Sequence, residues 1–179
     1  MKFIIEHLEP ELYDWCLIEY EYISKVVGMQ NLIFTNNKKD YASKLKKYGI
    51  VYEKSVSELD FSNICILSQY SRKKLTSNDK NKFQYFVFGG ILGDNPARKR
   101  IQQLIKKLKN SKIKFETRNL GNKQMPTDVA VYVAKKILES KTRKNQRFFG
   151  PRKSRGFSWE LNDFKFIDKL EIEINENES

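Results

Sequence analysis

Cysteine and histidine are scarce in this chain: 179 residues carry two Cys and one His. Cys16 and Cys65 each sit in an apolar run, Trp15-Cys16-Leu17 and Ile64-Cys65-Ile66. That setting points to buried free thiols acting as small hydrophobes, not a disulfide or a metal pair. With no Cys-x-x-Cys and His7 alone, a zinc site has too few ligands. No apolar run is long enough to cross a bilayer, and the first residues lack the basic-then-apolar pattern of a secretion signal. The expected setting is therefore reducing and cytoplasmic, with no membrane partner.

Acidic residues are outnumbered, 22 Asp plus Glu against 34 Lys plus Arg, for a net charge of +12. That balance suits an acidic partner such as RNA or a ribosome, although lysine-rich composition alone also gives a solvated basic surface. Hydrophobic residues make up 40 %, enough for one cored domain.

Apolar runs and helical periodicities alternate along the chain. Strands are expected at Lys2–Glu6, Asn31–Thr35, Ile50–Tyr52, Asn63–Leu67, Tyr85–Phe88 and Lys112–Thr117. Between them, Pro10 opens a helix with Leu12, Trp15, Cys16, Tyr22, Ile23, Val26 and Val27 near one face, closed by Gly28. Lys38–Tyr48 reads as a basic helix with Tyr41, Leu45 and Tyr48 inward. A polar connection follows over 68–82, with a turn of helix near Asn78. Pro96 opens a helix carrying Ile101, Leu104, Ile105 and Leu108, and Pro126–Leu138 forms the last. The alternation predicts an α/β fold, a mostly parallel sheet flanked by helices. The domain is expected over 1–140. The remainder, 141–179, changes composition: 135–155 is rich in Lys and Arg interleaved with aromatics, and acids dominate after Trp159. Such a basic segment can bind RNA by phosphate pairing and stacking, or be a solvated charged run.

Two glycine-bearing segments stand out. Tyr85-Phe86-Val87-Phe88-Gly89-Gly90-Ile91-Leu92-Gly93-Asp94 runs from a buried strand into a loop with little side-chain bulk, where backbone groups can approach a ligand. It lacks the Gly-Lys-Ser/Thr of a P-loop and the spacing of a dinucleotide fingerprint. Leu120-Gly121-Asn122-Lys123-Gln124-Met125-Pro126-Thr127-Asp128 likewise follows a strand and opens a helix. Two such loops on neighbouring strands can form one cleft at the carboxyl ends of the sheet.

These two loops resemble the signature loops of SPOUT methyltransferases. Within that class they are similar to the subfamily that includes the fungal protein-arginine methyltransferase acting on a small-subunit ribosomal protein. Ile4-Ile5-Glu6-His7 and Ile18-Glu19-Tyr20 are similar too, and the resemblance runs from Met1 to Leu138. One departure is Ser68-Gln69-Tyr70-Ser71, where the family carries Asp-Pro and a small residue. The resemblance implies a SPOUT fold with a C-terminal trefoil knot, and S-adenosylmethionine held bent between the loops. Phe88, Gly89, Gly90, Ile91 and Gly93 would form one wall, and Leu120, Gly121, Gln124, Met125 and Thr127 the other. It implies a monomer that methylates arginine in a ribosomal protein. An RNA methyltransferase acting on rRNA or tRNA, and a non-catalytic ribosome- or RNA-binding factor, are the alternatives.

An arginine acceptor is always protonated in free solution, so its site needs carboxylates to hold the fork and take a proton. Four acids qualify. Asp94 and Asp128 lie at the cofactor side, where helix capping is their rival role. Glu6, at the end of the first strand, and Glu19, on the first helix, are candidates for gripping the substrate.

Overall fold

Six parallel strands form one sheet in the order β3-β2-β1-β5-β4-β6. In this computed structural model the described residues are 1–90, 100–111, 113–121 and 125–140. The strands are β1 (Lys2–His7), β2 (Leu32–Thr35), β3 (Ile50–Val51), β4 (Ile64–Leu67), β5 (Tyr85–Gly90) and β6 (Phe115–Arg118). The helices are α1 (Asp14–Val27), α2 (Ala42–Leu45), α3 (Asp79–Lys82), α4 (Arg100–Lys109) and α5 (Thr127–Glu139). The basic segment from 141 and the tail after Trp159 lie outside the described residues.

Strand alternation divides the core into two layers. Ile4, Ile33, Ile64, Ile66 and Val87 point to the side where Leu104 and Leu108 of α4 pack with Val56. Phe3, Phe86 and Phe88 point to the other side, where Phe34 meets Tyr20 of α1. α1 packs on α5, and α5 on β5. The central strands β1, β5 and β4 are buried on both faces, which is why they read as unbroken apolar runs.

Several element boundaries differ from the sequence reading, each for a local reason. The first helix starts at Asp14 rather than near Pro10. Tyr13 is extended (φ −73°, ψ 159°), and Glu11 is held away from the helix by Lys38 Nζ at 2.7 Å and by the Tyr41 hydroxyl. Its buried stripe is Cys16, Tyr20, Ile23 and Val27, so Tyr20 replaces Tyr22. The expected basic helix over 38–48 is a 3₁₀ turn, Lys39–Tyr41, followed by α2. Leu45 and Tyr48 are buried, but Tyr41 turns to Glu11 and the His7 ring. β5 runs on through Gly89 and Gly90 because these pair with Glu6 and His7 of β1. β6 reaches Arg118, paired with Leu67.

Candidate active site

The carboxyl ends of β1 and β5 lie side by side at the centre of the sheet, where open α/β sheets bind ligands. The Thr127 hydroxyl donates to the Gly89 carbonyl at 3.1 Å. This bond brings the start of α5 onto the end of β5, so the two glycine-bearing segments meet, although β4 separates β5 from β6 and their strands are not the neighbours the sequence suggested. Gly121 has φ +130°, in the range that favours glycine, and a Cβ there would meet nothing within 4 Å. Open space therefore adjoins that loop. Leu120 and Met125 flank it, both half-buried. Phe88 is 2 % exposed and its ring stacks on Phe3, so its side chain belongs to the core and only its backbone can line a cleft. Ile91, Gly93, Asp94 and Gln124 lie outside the described residues.

Gly90 has a purpose the sequence did not suggest. A Cβ there would stand 2.6 Å from the Tyr20 hydroxyl and 3.0 Å from Ile5 Cγ2. The glycine makes room for Tyr20, whose hydroxyl lies 2.8 Å from His7 Nδ1. We expect Gly90→Ala to destabilise the chain by about 1–3 kcal/mol through overpacking. Adding Tyr20→Phe, which removes the clashing oxygen, should recover part of that loss. Thermal melts of the two single variants and the double variant measure the coupling; strict additivity would show that the clash is not with this hydroxyl.

The acids fall into two groups. Glu6 is 1 % exposed and fully engaged by protein donors. The Thr35 hydroxyl and the Val56 N–H donate to Oε2 at 2.6 and 3.0 Å, and the Ser55 hydroxyl donates to Oε1 at 2.6 Å. Its carboxylate thus ties β1 to the end of β2 and the turn after β3, and that complement of donors suits a bracket better than a substrate grip. His7 is buried beside it. Nε2 makes no hydrogen bond among the described residues, and burial is the main cause of a pKa below the usual histidine value. The ring is accordingly a neutral member of the site floor.

Glu19 and Asp128 form the second group, with Glu9. Glu19 is pushed up to about 8, first by burial and then by the negative charges of Asp128 and Glu9. Asp128 is also raised, by burial, although its Oδ1 accepts the Val129 N–H at 2.8 Å. Asp128 therefore binds a helix-start N–H, and its charge acts on Glu19. Glu9 Oε1 pairs with Arg100 Nη1 at 2.7 Å, which fixes the start of α4 to the loop after β1. Glu9, in the loop after β1, and Asp128, on α5, thus both act electrostatically on the partly desolvated Glu19 of α1. Crowded carboxyls hold a proton that an arriving cation would release.

The second loop is anchored from behind. Arg118 closes β6 with its Nε and Nη2 on Asp79 Oδ1 at 3.0 and 2.9 Å, both side chains 7 % exposed. Asn119 joins the 68–75 segment: its N–H donates to the Lys73 carbonyl at 2.8 Å, and its Nδ2 to the Ser71 carbonyl at 2.7 Å. Ser68-Gln69-Tyr70-Ser71 thus supports the glycine loop. The two thiols are buried and free, and burial pushes each up to about 12, which leaves them unreactive.

Comparison with known proteins identifies the family. A family model described as "Protein arginine N-methyltransferase SFM1-like" matches residues 2–179. The protein arginine N-methyltransferase SFM1 of Saccharomyces cerevisiae is 34 % identical over 196 residues, covering all of this chain and 82 % of the yeast protein. This chain belongs to the SFM1-like family. Among solved structures, yeast SFM1 complexed with SAM superposes with a TM-score of 0.68 at 34 % identity, over 77 % of this chain and 67 % of the yeast one. The complex of yeast SFM1 with SAH gives a TM-score of 0.67. The dual specific Trm10 from Thermococcus kodakaraensis shares the fold at 16 % identity, with a TM-score of 0.61 over 79 % of this chain and 95 % of that one.

Glu9 and Tyr20 are residues of the candidate site that sequence reasoning missed, and His7 was not assigned to it. Glu9 and His7 had a usable signal, since His7 ends the strand that proves central and Glu9 lies two residues beyond it. Tyr20 had none, because its role depends on Gly90 across the sheet.

Proposed function

We propose that this chain is an S-adenosylmethionine-dependent arginine N-methyltransferase whose acceptor is a ribosomal protein, and that it acts as a monomer. The reading is supported by membership of the SFM1-like family, and by α1 packing on α5 so that the charges of Asp128 and Glu9 act on the half-buried Glu19. A guanidinium matches such a site in charge and in its planar fork of donors.

The cofactor is assigned to the same end of the sheet, where the described residues offer open space at Gly121, the half-buried Leu120 and Met125 beside it, and the backbone at the end of β5. Bound there, S-adenosylmethionine supplies a methyl group on a positively charged sulfur. The chain's own residues then have two tasks. Asp128 orients the acceptor fork, and Glu9, paired with Arg100, adds negative charge beside it. Glu19, ionised by the guanidinium's charge, accepts the proton that the attacking nitrogen must lose. No Lys or Arg is needed for this chemistry, and the catalytic demand is chiefly one of alignment.

A C-terminal trefoil knot is part of the proposal. It is supported by the path of the chain, which leaves β6 at the sheet edge and returns with α5 against β5 and α1.

Two measurements test the reading. Calorimetric titration with S-adenosylmethionine should show saturable binding; no heat at several temperatures would favour a non-catalytic factor. Tritiated methyl groups supplied with whole ribosomes should enter the protein fraction after protein and RNA are separated. Label confined to RNA would favour the rRNA or tRNA methyltransferase instead.

A further inference from the structure

We infer that the basic outer edge of the sheet, where β6 and the 70–74 segment lie together, holds the phosphate backbone of RNA beside the acceptor arginine. The inference deepens the ribosomal reading above and rests on it.

The positive charge is not spread evenly along the chain. Residues 1–71 carry eight Lys or Arg against ten acids, and residues 72–118 carry fourteen against three. A lysine-rich composition alone would raise both stretches alike. The second stretch builds α3, β5, α4 and β6, and β6 is an edge strand.

The cations at this edge sit on a fixed backbone. The Arg118 carbonyl accepts the Ser68 N–H at 2.8 Å on the β4 side, so Asn119 faces outward. There its carbonyl accepts the Leu75 N–H at 2.9 Å, and its N–H reaches the Lys73 carbonyl. The Thr117 and Ser71 hydroxyls lie 3.0 Å apart. The 71–75 segment thus runs along the outer side of β6, bridged at Lys74 and Asn119. Lys73 and Lys82 reach Glu116 with side chains 73 % and 53 % exposed, and Arg118 Nη1 donates to the same carboxylate at 3.1 Å. One carboxylate answers three cations. Strand alternation puts Arg72 and Lys74 on the other side of this edge, and Lys114 lies two residues before Glu116. Arg72, Lys74 and Lys114 are exposed and pair with no carboxylate among the described residues. Edge lysines often serve to deter strand pairing. Here the 71–75 segment already pairs with the end of that edge, which leaves these cations for another partner.

The chemistry of this edge names its occupant. Unpaired cations on a fixed backbone suit a row of phosphates. Tyr70, 46 % exposed and two residues before Arg72, adds a ring on which a base can stack. The same cations repel a basic polypeptide, so acceptor protein and RNA take different places. β6 stands three strands from β1, about 14 Å at the usual strand spacing. Asn119 Oδ1 accepts the Gly121 N–H at 3.1 Å, which ties the basic edge to the candidate cofactor loop. A protein embedded in RNA could then offer an arginine to Glu19 while its neighbouring RNA lies along β6.

The test uses the full chain and the triple variant Arg72→Gln/Lys74→Gln/Lys114→Gln, whose sites are exposed; unchanged melting and S-adenosylmethionine affinity confirm an intact fold. Binding of a short fluorescein-labelled oligouridine is followed by anisotropy over a range of salt concentrations. The variant should bind it about tenfold more weakly at low salt, and the slope of log affinity against log salt should flatten by about two, the share of three phosphate contacts. Two methyl acceptors are then compared: small ribosomal subunits from cells lacking this enzyme, and the tripeptide Gly-Arg-Gly at high concentration. KM for the subunits should rise about tenfold, in step with the lost phosphate contacts, with kcat at saturation and the tripeptide KM unchanged. Unchanged RNA affinity and slope overturn the inference and leave the arginine reading intact. A subunit KM that stays the same while RNA affinity falls also overturns it, since the edge then takes no part in acceptor recognition. So does loss of binding to phosphatidylserine vesicles with RNA binding retained, since the occupant is then a lipid surface. Methyl label confined to RNA with the unsubstituted protein sinks the arginine reading, and the proposed place of this edge beside an acceptor arginine falls with it.

Discussion

Glu19→Gln should lower kcat for arginine methylation by about 10²–10⁴-fold, the usual contribution of a positioned general base. The amide keeps the size of the side chain and loses its capacity to accept a proton. S-adenosylmethionine affinity should change little, because the defect lies on the acceptor side. The pH profile separates this role from a merely structural one. With Glu19 held up to about 8 in the free site, kcat/KM of the unsubstituted enzyme should climb through that pH and level off above it. The glutamine variant should lose this limb. Stability carries the opposite sign. The folded state binds the proton more tightly than the unfolded state, whose carboxyl has the ordinary value of 4.5. The group therefore costs nothing below that value and progressively destabilises the fold as pH rises from 4.5 to about 8. Glu19→Gln should accordingly melt higher than the parent above pH 8 and flatten this part of the stability profile. A variant that loses activity but keeps the rising limb would assign the base to another group.

The second large effect is expected at the far edge of the sheet. Arg118→Leu leaves the Asp79 carboxylate buried without its cation, a loss of about 3–5 kcal/mol by the usual cost of breaking a buried pair. At about 2–4 °C per kcal/mol for a chain of this size, melting should fall by roughly 10 °C. Asp79 retains the Thr76 N–H at 2.8 Å and the Thr76 hydroxyl at 3.1 Å. Asp79→Asn in the same chain should therefore recover a substantial part of the loss, since the remaining donors suit a neutral acceptor. S-adenosylmethionine affinity should weaken as well, because Arg118 ends the strand from which the Asn119–Gly121 turn departs. A melting point within a degree or two of the parent would mean that the pair contributes only at the level of a surface ion pair.

Both predictions concern residues whose surroundings come from distant parts of the chain, and this marks the limit of what the sequence made legible. The parallel α/β class was readable, because strands buried on both faces must be continuous apolar runs and the long helices α1, α4 and α5 kept their periodicity, unlike the 38–48 stretch. The joining of the two glycine-bearing segments was readable only in part: they were expected at the ends of neighbouring strands, but β4 lies between β5 and β6, and it is the Thr127–Gly89 bond that brings them together. The end of β5 was not readable. Gly89 and Gly90 look like loop until β1 is known to pair with them. Glu6 looked like a free acid at a strand end, and three donors from 35, 55 and 56 occupy it. Glu19 and Asp128 were chosen separately, for different purposes. Only the packing of α1 on α5 turns them into one site with a shared electrostatic character.

The central claim is that this acid cluster methylates arginine in a protein. Its most direct test is the chemical identity of the product. Ribosomes treated with the enzyme and tritiated S-adenosylmethionine are stripped of RNA, and the protein is hydrolysed to amino acids and resolved by chromatography. The account predicts that the label runs with an N-methylarginine, and that Glu19→Gln reduces it by at least a hundredfold, the lower bound for a lost general base. Label on methyllysine or a methylated nucleoside, or an equal arginine signal from the variant, would contradict it.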